Sequence, residues 1–582
     1  MDRKTLPLII LCIALILFWQ PILDMIFGPS PKTPPSSGAT NAVAVARASS
    51  PAPPSAPSPS PAPSAPPAAS LIPSVSHASP SGTPLLLENA LLSAEVLPDG
   101  GGFGRITLKQ YSRSGARDDP SRMILNAESP LPVLSVALGD ASFLAPYEIR
   151  ALTGGGVQAV SRSAEGLRIV KEFRLGNDYL VNATLTLSNE GKTAIQGQPL
   201  RVGIGLAAPE MTAHSLPYVA VSAFSGEKAR HEDLAALQKF VAKQHRPWEL
   251  AQPVDWGAVR DQYFAVIVTP PAPFAGISAE PHALREHPPV GGKPAEGVLA
   301  VISSAPMELA PGASTNLAFR VYAGPKESRR LSALGQRQDQ VLDLGMFEII
   351  SRALLWLMGI LHGVFGNWGV AIVGVTIVIK ILFWPLTAIS TRSMKQMQAL
   401  APKINALKEK HKGDAKRMNE EMMKLYREYK VNPMAGCLPM LIQIPIFFAF
   451  YNLLRASIEL RGASFLWIHD LSTADTIARI PGLDFPVNLM PLIMAVTMIW
   501  QTKMTPQAPN ADPSMKMMMW LMPAMFLFFC YSFSSGLSLY WTVQNLLTIL
   551  QTWLTRDKPV APPTRVKPRR GFSFIRPETP KR

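Results

Sequence analysis

The sequence predicts a polytopic α-helical membrane protein with six transmembrane helices and an all-β sandwich domain held outside the membrane. Three observations carry that prediction. Six apolar blocks are long enough to cross a bilayer. Residues 85–328, between the first and second block, alternate apolar and polar residues at the strand period. Basic residues gather at the block ends that belong on one side.

The first block, Leu6–Phe27, follows a basic start at Arg3 and Lys4. It has a signal-like pattern but no small-residue cleavage site close behind it, so residues 1–28 read as an uncleaved anchor. Residues 29–84 are rich in Pro, Ala and Ser and read as an extended linker that cannot build a core.

Within residues 85–328, strands are expected at Gly102–Tyr111, Val157–Arg162, Gln262–Val268, Gly297–Ser303 and Thr315–Tyr322. Leu167–Leu175 and Tyr179–Ser188 form a hairpin across Gly176-Asn177-Asp178. That pattern suggests a β-sandwich. A helix is expected at His231–Val241. The acids and histidines of this domain have neither catalytic nor metal-ligand spacing, so a structural or protein-contact role fits best.

Residues 344–365 read as an amphipathic helix lying along the outer membrane surface. Residues 366–556 hold the remaining blocks: Asn367–Ser390, Ala435–Ser457, Phe485–Lys503, Met515–Tyr531 and Leu537–Thr555. The last two join at a tight turn, Ser532–Gly536. Residues 392–432 read as a helical hairpin, with Met397, Leu400, Ile404 and Leu407 on one arm and Met418, Met422, Leu425 and Tyr429 on the other. Lys412-Gly413 is its turn, Asp414 a helix cap and Pro402 a first-turn residue. The hairpin either holds two spans in register or docks acidic partners on its basic face.

Charge placement sets the orientation. Residues Arg392–Lys430 hold eleven Lys/Arg against five Asp/Glu, and the tail after Thr555 holds nine against two. Basic excess marks the cytoplasmic side. Both termini, the hairpin and the tail at residues 557–582 then lie inside, and the β domain lies outside.

Lys380 is the residue that bears most on function. It lies twelve residues from both Trp368 and Arg392. A lysine at such depth costs about 2.5–3.5 kcal/mol on insertion scales. It therefore faces protein or a watery recess, or pairs with a carboxylate on a neighbouring helix. Thr376 shares its helix face. Gln443, Ser538, Tyr540, Trp541, Thr542, Gln544 and Asn545 add uncharged polar groups in other spans. Many neutral groups around one cation suit a hydrated recess better than an ion pair.

The sequence speaks against several chemistries. Its three cysteines, Cys12, Cys437 and Cys530, fall in separate apolar blocks, and all nine histidines lie outside them. Neither a zinc motif nor a phosphate-binding loop is present, so no cofactor or metal and no enzymatic activity is expected. A serine protease within the membrane lacks its histidine, and a proton relay lacks its carboxylates. A secondary transporter with a midplane polar site remains the alternative, although the inverted repeats that would support it are not visible. A purely structural assembly factor is a further alternative.

The ordered motifs Gly366-Asn367-Trp368-Gly369, Trp384-Pro385-Leu386-Thr387, Val431-Asn432-Pro433-Met434-Ala435-Gly436-Cys437-Leu438-Pro439 and Gln443-Ile444-Pro445-Ile446-Phe447 resemble the YidC membrane-protein insertases. Leu466-Trp467-Ile468-His469-Asp470-Leu471 and Ser535-Gly536-Leu537 continue the likeness. It is close over Leu344–Leu554 and weaker before. The resemblance implies a five-helix core around a hydrophilic groove open to the cytoplasm and lipid, and a periplasmic sandwich of sugar-mutarotase type without that activity. It implies that the chain inserts, folds and helps assemble nascent inner-membrane proteins, alone or with the SecYEG translocon and SecDF. Ribosomes, through the hairpin and tail, and membrane lipids are the other implied partners. The implied groove residues are Thr376, Lys380, Gln443, Tyr540 and Trp541. The family usually carries an arginine where Lys380 stands and often a tyrosine where Trp541 stands.

Overall fold

The computed structural model describes residues 82–555, apart from 116–118, 211–212, 291–293, 412–413, 430, 433–437, 483–484 and 505–512. The expected anchor, most of the linker, the Lys412-Gly413 turn, Cys12, Cys437 and the basic tail lie outside the described residues.

Strand alternation builds the β domain. In Leu180–Asn189 the side chains of Val181, Ala183, Leu185 and Leu187 point inward and their neighbours outward. This strand pairs antiparallel with Leu167–Leu175 through the expected hairpin, in which Asp178 adopts the left-handed conformation. Asp tolerates that region better than most residues. Nine antiparallel strands, from Lys228–Asp233 at one edge to Glu148–Ala151 at the other, form one sheet. Five strands, from Trp248–Leu250 to Val136–Leu138, form a second, and four strands near the start of the described chain form a third.

The large sheets pack face to face. A Cβ added at Gly257 of the nine-stranded sheet would lie 2.8 Å from Ile204 Cδ1 and Ile302 Cγ2 of the five-stranded one. Only glycine fits that approach. Trp256, Phe264, Val202 and Ile302 share the resulting core, and the expected sandwich architecture is present.

The expected helix at His231–Val241 starts later. His231 lies in the strand Lys228–Asp233, and helix α1 runs over Leu234–Gln244. Asp233 sets the boundary, because its Oδ1 accepts a hydrogen bond from Ala236 N at 2.7 Å. Pairing of residues 228–233 with Ala220–Ser225 takes the upstream residues into the sheet.

After Ser314–Pro325, the last strand of the β domain, come α2 (Ser328–Ala333) and α3 (Glu348–Phe365). Ile349, Trp356 and Val364 of α3 are largely exposed, while Ser351 is buried and donates to the Ala449 carbonyl at 3.0 Å. One apolar face is thus left bare. By length and composition alone, α3 is the one single helix among the described residues long and apolar enough to cross a membrane.

The block expected as one span at Asn367–Ser390 is two helices. α4 covers Trp368–Leu382, α5 covers Trp384–Ala399, and they meet at a 59° bend. Pro385 explains the break: it lacks an N–H and its ring crowds the carbonyl of the preceding turn. The hairpin continues as α6 (Ala401–Lys410) and α7 (Ala415–Glu428). Pro402 sits in the first turn of α6, and Asp414 Oδ1 accepts from Arg417 N at 3.0 Å, as expected. Met397, Leu400, Ile404, Met422, Leu425 and Val431 pack as its small core.

Three further blocks form α8 (Leu438–Ala456), α10 (Pro513–Cys530) and α11 (Ser535–Leu554). The block expected at Phe485–Lys503 begins instead as a strand, Phe485–Asn488, paired with Thr476–Ile480; helix α9 spans Leu489–Met504. Pro486 disfavours helix at Phe485, and Tyr531 OH donates to the Pro486 carbonyl at 2.7 Å. The apolar faces of α3, α4, α8 and α11 share one core, including Met358, Ile372, Val375, Phe450, Leu453 and Leu537.

Candidate groove of the membrane core

Helix α11 supplies a polar stripe. Tyr540, Gln544 and Thr548 recur every four residues, and Gln551 and Thr555 continue the face. Hydrocarbon offers no hydrogen bonds, so such groups need partners within the protein or in water. Gln443 Nε2 of α8 donates to Tyr540 OH at 2.5 Å, and Gln544 Nε2 donates to Gln443 Oε1 at 3.1 Å. One turn on, Lys380 Nζ of α4 donates to Thr548 Oγ1 at 2.8 Å. Gln551 Nε2 then donates to Thr387 Oγ1 of α5 at 2.6 Å. One helix face therefore gathers polar side chains from three other helices.

Lys380 is 5% exposed. Among the described residues its hydrogen-bond partner is the neutral Thr548 hydroxyl, and no carboxylate pairs with it. The break at Phe383 changes its setting. Lys380 is not in the middle of one long helix but in the last turn of α4. Unpaired carbonyls and the negative end of the helix dipole favour a cation there, by up to about 2 kcal/mol when partly buried. That offsets part of the burial cost without an acid.

The other expected groove residues divide. Gln443 and Tyr540 are hydrogen-bonded to each other, and the Tyr540 ring stacks on Phe450 with centroids 4.5 Å apart. Thr376 is fully buried and its hydroxyl donates to the Ile372 carbonyl at 2.7 Å, within its own helix. Trp541 meets Phe447 edge to face at 4.9 Å and also packs on Phe526. Asn545 faces α9, where its Nδ2 donates to Thr497 Oγ1 at 3.2 Å. The buried atoms Ser538 Oγ and Gln544 Oε1 have no hydrogen-bond partner among the described residues, so their bonding capacity is unused there.

The family model for the 60Kd inner membrane protein matches residues 360–561, and that for the YidC periplasmic domain matches residues 85–357. The "Membrane protein insertase YidC" of Geobacter sulfurreducens is 34% identical over 472 residues, 78% of this chain and 82% of that one.

The chain belongs to the YidC family of membrane protein insertases.

The YidC of Cupriavidus pinatubonensis is 33% identical over 82% of this chain and 83% of its own. That of Cupriavidus metallidurans reaches 46%, over 42% of each chain. Among solved structures, an active YidC insertase with its first transmembrane domain resolved is 18% identical over 81% of this chain, with a TM-score of 0.35. A putative aldose 1-epimerase from Escherichia coli covers 41% of this chain at a TM-score of 0.26. Membership of the YidC family displaces the transporter alternative.

Three residues of this polar cluster escaped sequence reading: Thr387, Thr548 and Gln551. Threonine is unremarkable in an apolar helix, because its hydroxyl can bond the carbonyl one turn back. The available signal was the four-residue step from Tyr540 through Gln544 to Thr548.

Proposed function

We propose that the chain inserts, folds and assists assembly of inner-membrane proteins through the polar face shared by α4, α5, α8 and α11. The observation that carries this reading is Lys380, a buried cation among neutral hydrogen-bonding groups with no acid paired with it among the described residues. Such a cation attracts the acidic or polar tail of an arriving chain. It lowers the cost of carrying polar groups partway into hydrocarbon. The apolar helix of the arriving chain then passes along the groove into lipid, driven by burial of its apolar surface. Thr376 and Trp541 serve as packing around this face, while Gln443 and Tyr540 line it. No nucleotide, metal or other cofactor takes part.

The topology that goes with this reading has six spans, both termini in the cytoplasm and the β domain in the periplasm. The basic excess at Arg392–Lys430 and after Thr555 supports it. The five-helix core works alone or beside the SecYEG translocon and SecDF. The hairpin and tail meet ribosomes or anionic lipid through their charge.

The test is insertion of a small single-span protein with an acidic N-terminal tail into liposomes holding only this purified chain. Protease protection of the tail reports translocation. Protection above empty liposomes, lost with Lys380→Ala or Lys380→Glu and kept with Lys380→Arg, is the expected result. Normal insertion by both the alanine and the glutamate variants would exclude a role for the charge. No protection with wild type, when a known insertase succeeds in parallel, would exclude autonomous insertion.

A further inference from the structure

A cavity of about 500 Å³ lies where the β domain meets the outer ends of the helices. Arg113, Glu210 and Tyr263 of the β domain line one side. Tyr451 and Arg455 of α8, Asp470 and Arg461 of the loop after it, and Ser534 before α11 line the other. In the topology proposed above, the helix ends on this side lie near the depth of the lipid headgroups.

The cavity is built around a buried charge. The Arg461 side chain is 6% exposed and its guanidinium lies over the Tyr263 and Phe264 rings. Its Nη2 donates to the Arg113 carbonyl at 2.9 Å and lies 3.2 Å from Glu210 Oε1. Its Nη1 has no hydrogen-bond partner among the described residues. The Glu210–Arg461 contact is not aligned as a hydrogen bond, so Glu210 Oε1 also lacks one, and so does Ser534 Oγ. The residues lining this one cavity therefore include a buried guanidinium, a carboxyl and a hydroxyl, each with a buried atom that lacks a hydrogen-bond partner among the described residues.

Water alone fits the volume, but the Arg461–Glu210 ion pair leaves buried donor and acceptor atoms unsatisfied, which is costly. A simple anion would meet Arg461 but also Glu210 and Asp470. A simple cation would meet the reverse. A ligand with both signs a few ångströms apart satisfies both, and Phe533, Leu537 and Tyr451 offer apolar surface beside it.

We infer that this cavity binds the headgroup of a zwitterionic amino-phospholipid, with its phosphate on Arg461 and Ser534 and its ammonium on Glu210. Loss of solvent pushes the Glu210 carboxyl up to about 7 against the pull of Arg461, and a second cation beside it favours the carboxylate. The bound lipid ties the β domain to the helices. Its depth rests on the topology proposed above, yet lipid binding and tail insertion are separate measurements, and either can fail without the other.

The full-length chain, purified in detergent and stripped of lipid, is titrated with phosphatidylethanolamine or phosphatidylglycerol and read by native mass spectrometry. Soluble phosphoethanolamine and inorganic phosphate are added as competitors. One phosphatidylethanolamine is expected to bind at least tenfold more tightly than phosphatidylglycerol. Phosphoethanolamine should displace it and inorganic phosphate should not. Arg461→Gln should weaken it at least tenfold. Ser534→Ala, a small change that keeps the charges, should weaken it severalfold and guards against a misfolded arginine variant. Equal binding of both lipids, unchanged in Ser534→Ala, would mean unspecific lipid and overturn the inference. Equal competition by inorganic phosphate would make the site a phosphate site and overturn it too. A photo-crosslinker at Ala474 that captures a translocating substrate tail but no lipid would overturn it in favour of a peptide site.

Discussion

Gln551 and Thr387 are 164 residues apart in sequence, yet Gln551 Nε2 donates to Thr387 Oγ1 at 2.6 Å. Thr387 follows directly on the helix break, and its hydroxyl also reaches the carbonyls of Phe383 at 3.2 Å and Trp384 at 3.0 Å. The Thr387 hydroxyl thus backs onto the first turn of α5, where the Phe383 carbonyl also accepts from Thr387 N at 3.1 Å, and the last helix braces that side chain. Thr387→Val should cost about 0.5–1.5 kcal/mol, in line with hydrogen bonds between membrane helices. Thr387→Ser should retain most of the bracing. A thermal unfolding midpoint in detergent, lowered in the valine but not the serine variant, checks this.

Gln443 and Tyr540 make unequal contributions. Gln443 serves both Tyr540 and Gln544, whereas Tyr540 OH meets Gln443 alone among the described residues. Gln443→Leu strands the buried Tyr540 hydroxyl and the half-buried Gln544 amide and should cost about 1–3 kcal/mol. Tyr540→Phe keeps the ring on Phe450 and the Gln443–Gln544 bond, and should cost about 1 kcal/mol or less. Ranking the two by unfolding midpoint and by insertion rate tests the order; a larger loss in Tyr540→Phe would contradict it.

Near the start of α4, a Cβ added at Gly369 would overlap the Phe465 ring. Gly369→Val should therefore destabilise by about 1–3 kcal/mol through overpacking. The added change Phe465→Ala should recover part of that loss. A double-mutant cycle reads the coupling directly.

Glu459, in the loop after α8, titrates high. Loss of solvent, helped by the Glu327 carboxylate and opposed by Arg329, pushes its carboxyl from 4.5 up to about 7. A raised carboxyl means that the folded protein holds the proton more tightly than the unfolded chain. Its contribution to stability therefore falls as pH rises from about 4.5 to about 7 and is level above that. Glu459→Gln removes this slope. The difference in unfolding midpoint between wild type and variant should move in favour of the variant from pH 5 to pH 7.5. No change in that difference would refute the assignment.

The β domain was readable because its signal is local. Strand alternation at Leu167–Leu175 and Val157–Arg162 and the turn at Asn177-Asp178 are set within a few residues. The Asp414 cap and the hairpin's apolar periodicity were readable for the same reason. Helix interruptions were less visible. Hydropathy continues smoothly through Trp384-Pro385 and Phe485-Pro486, and averaging over a span hides the one residue that lacks a donor. In the groove, charge marked Lys380 and amide groups marked Gln443. Thr548 and Thr387 carry no such mark, and only the meeting of distant helices gives them a role. Trp541 suggested a polar lining by its neighbours, but one residue along a helix turns the side chain about 100° away.

The fifteen residues of α4 have a further physical meaning. A helix of that length rises about 22 Å, against a hydrocarbon thickness of about 30 Å. Lipid beside it must thin, or the flanking chain must tilt to make up the difference. In the topology proposed above the span continues into α5 across the 59° bend, so the place where Pro385 stops α4 sets where the path through the bilayer changes direction.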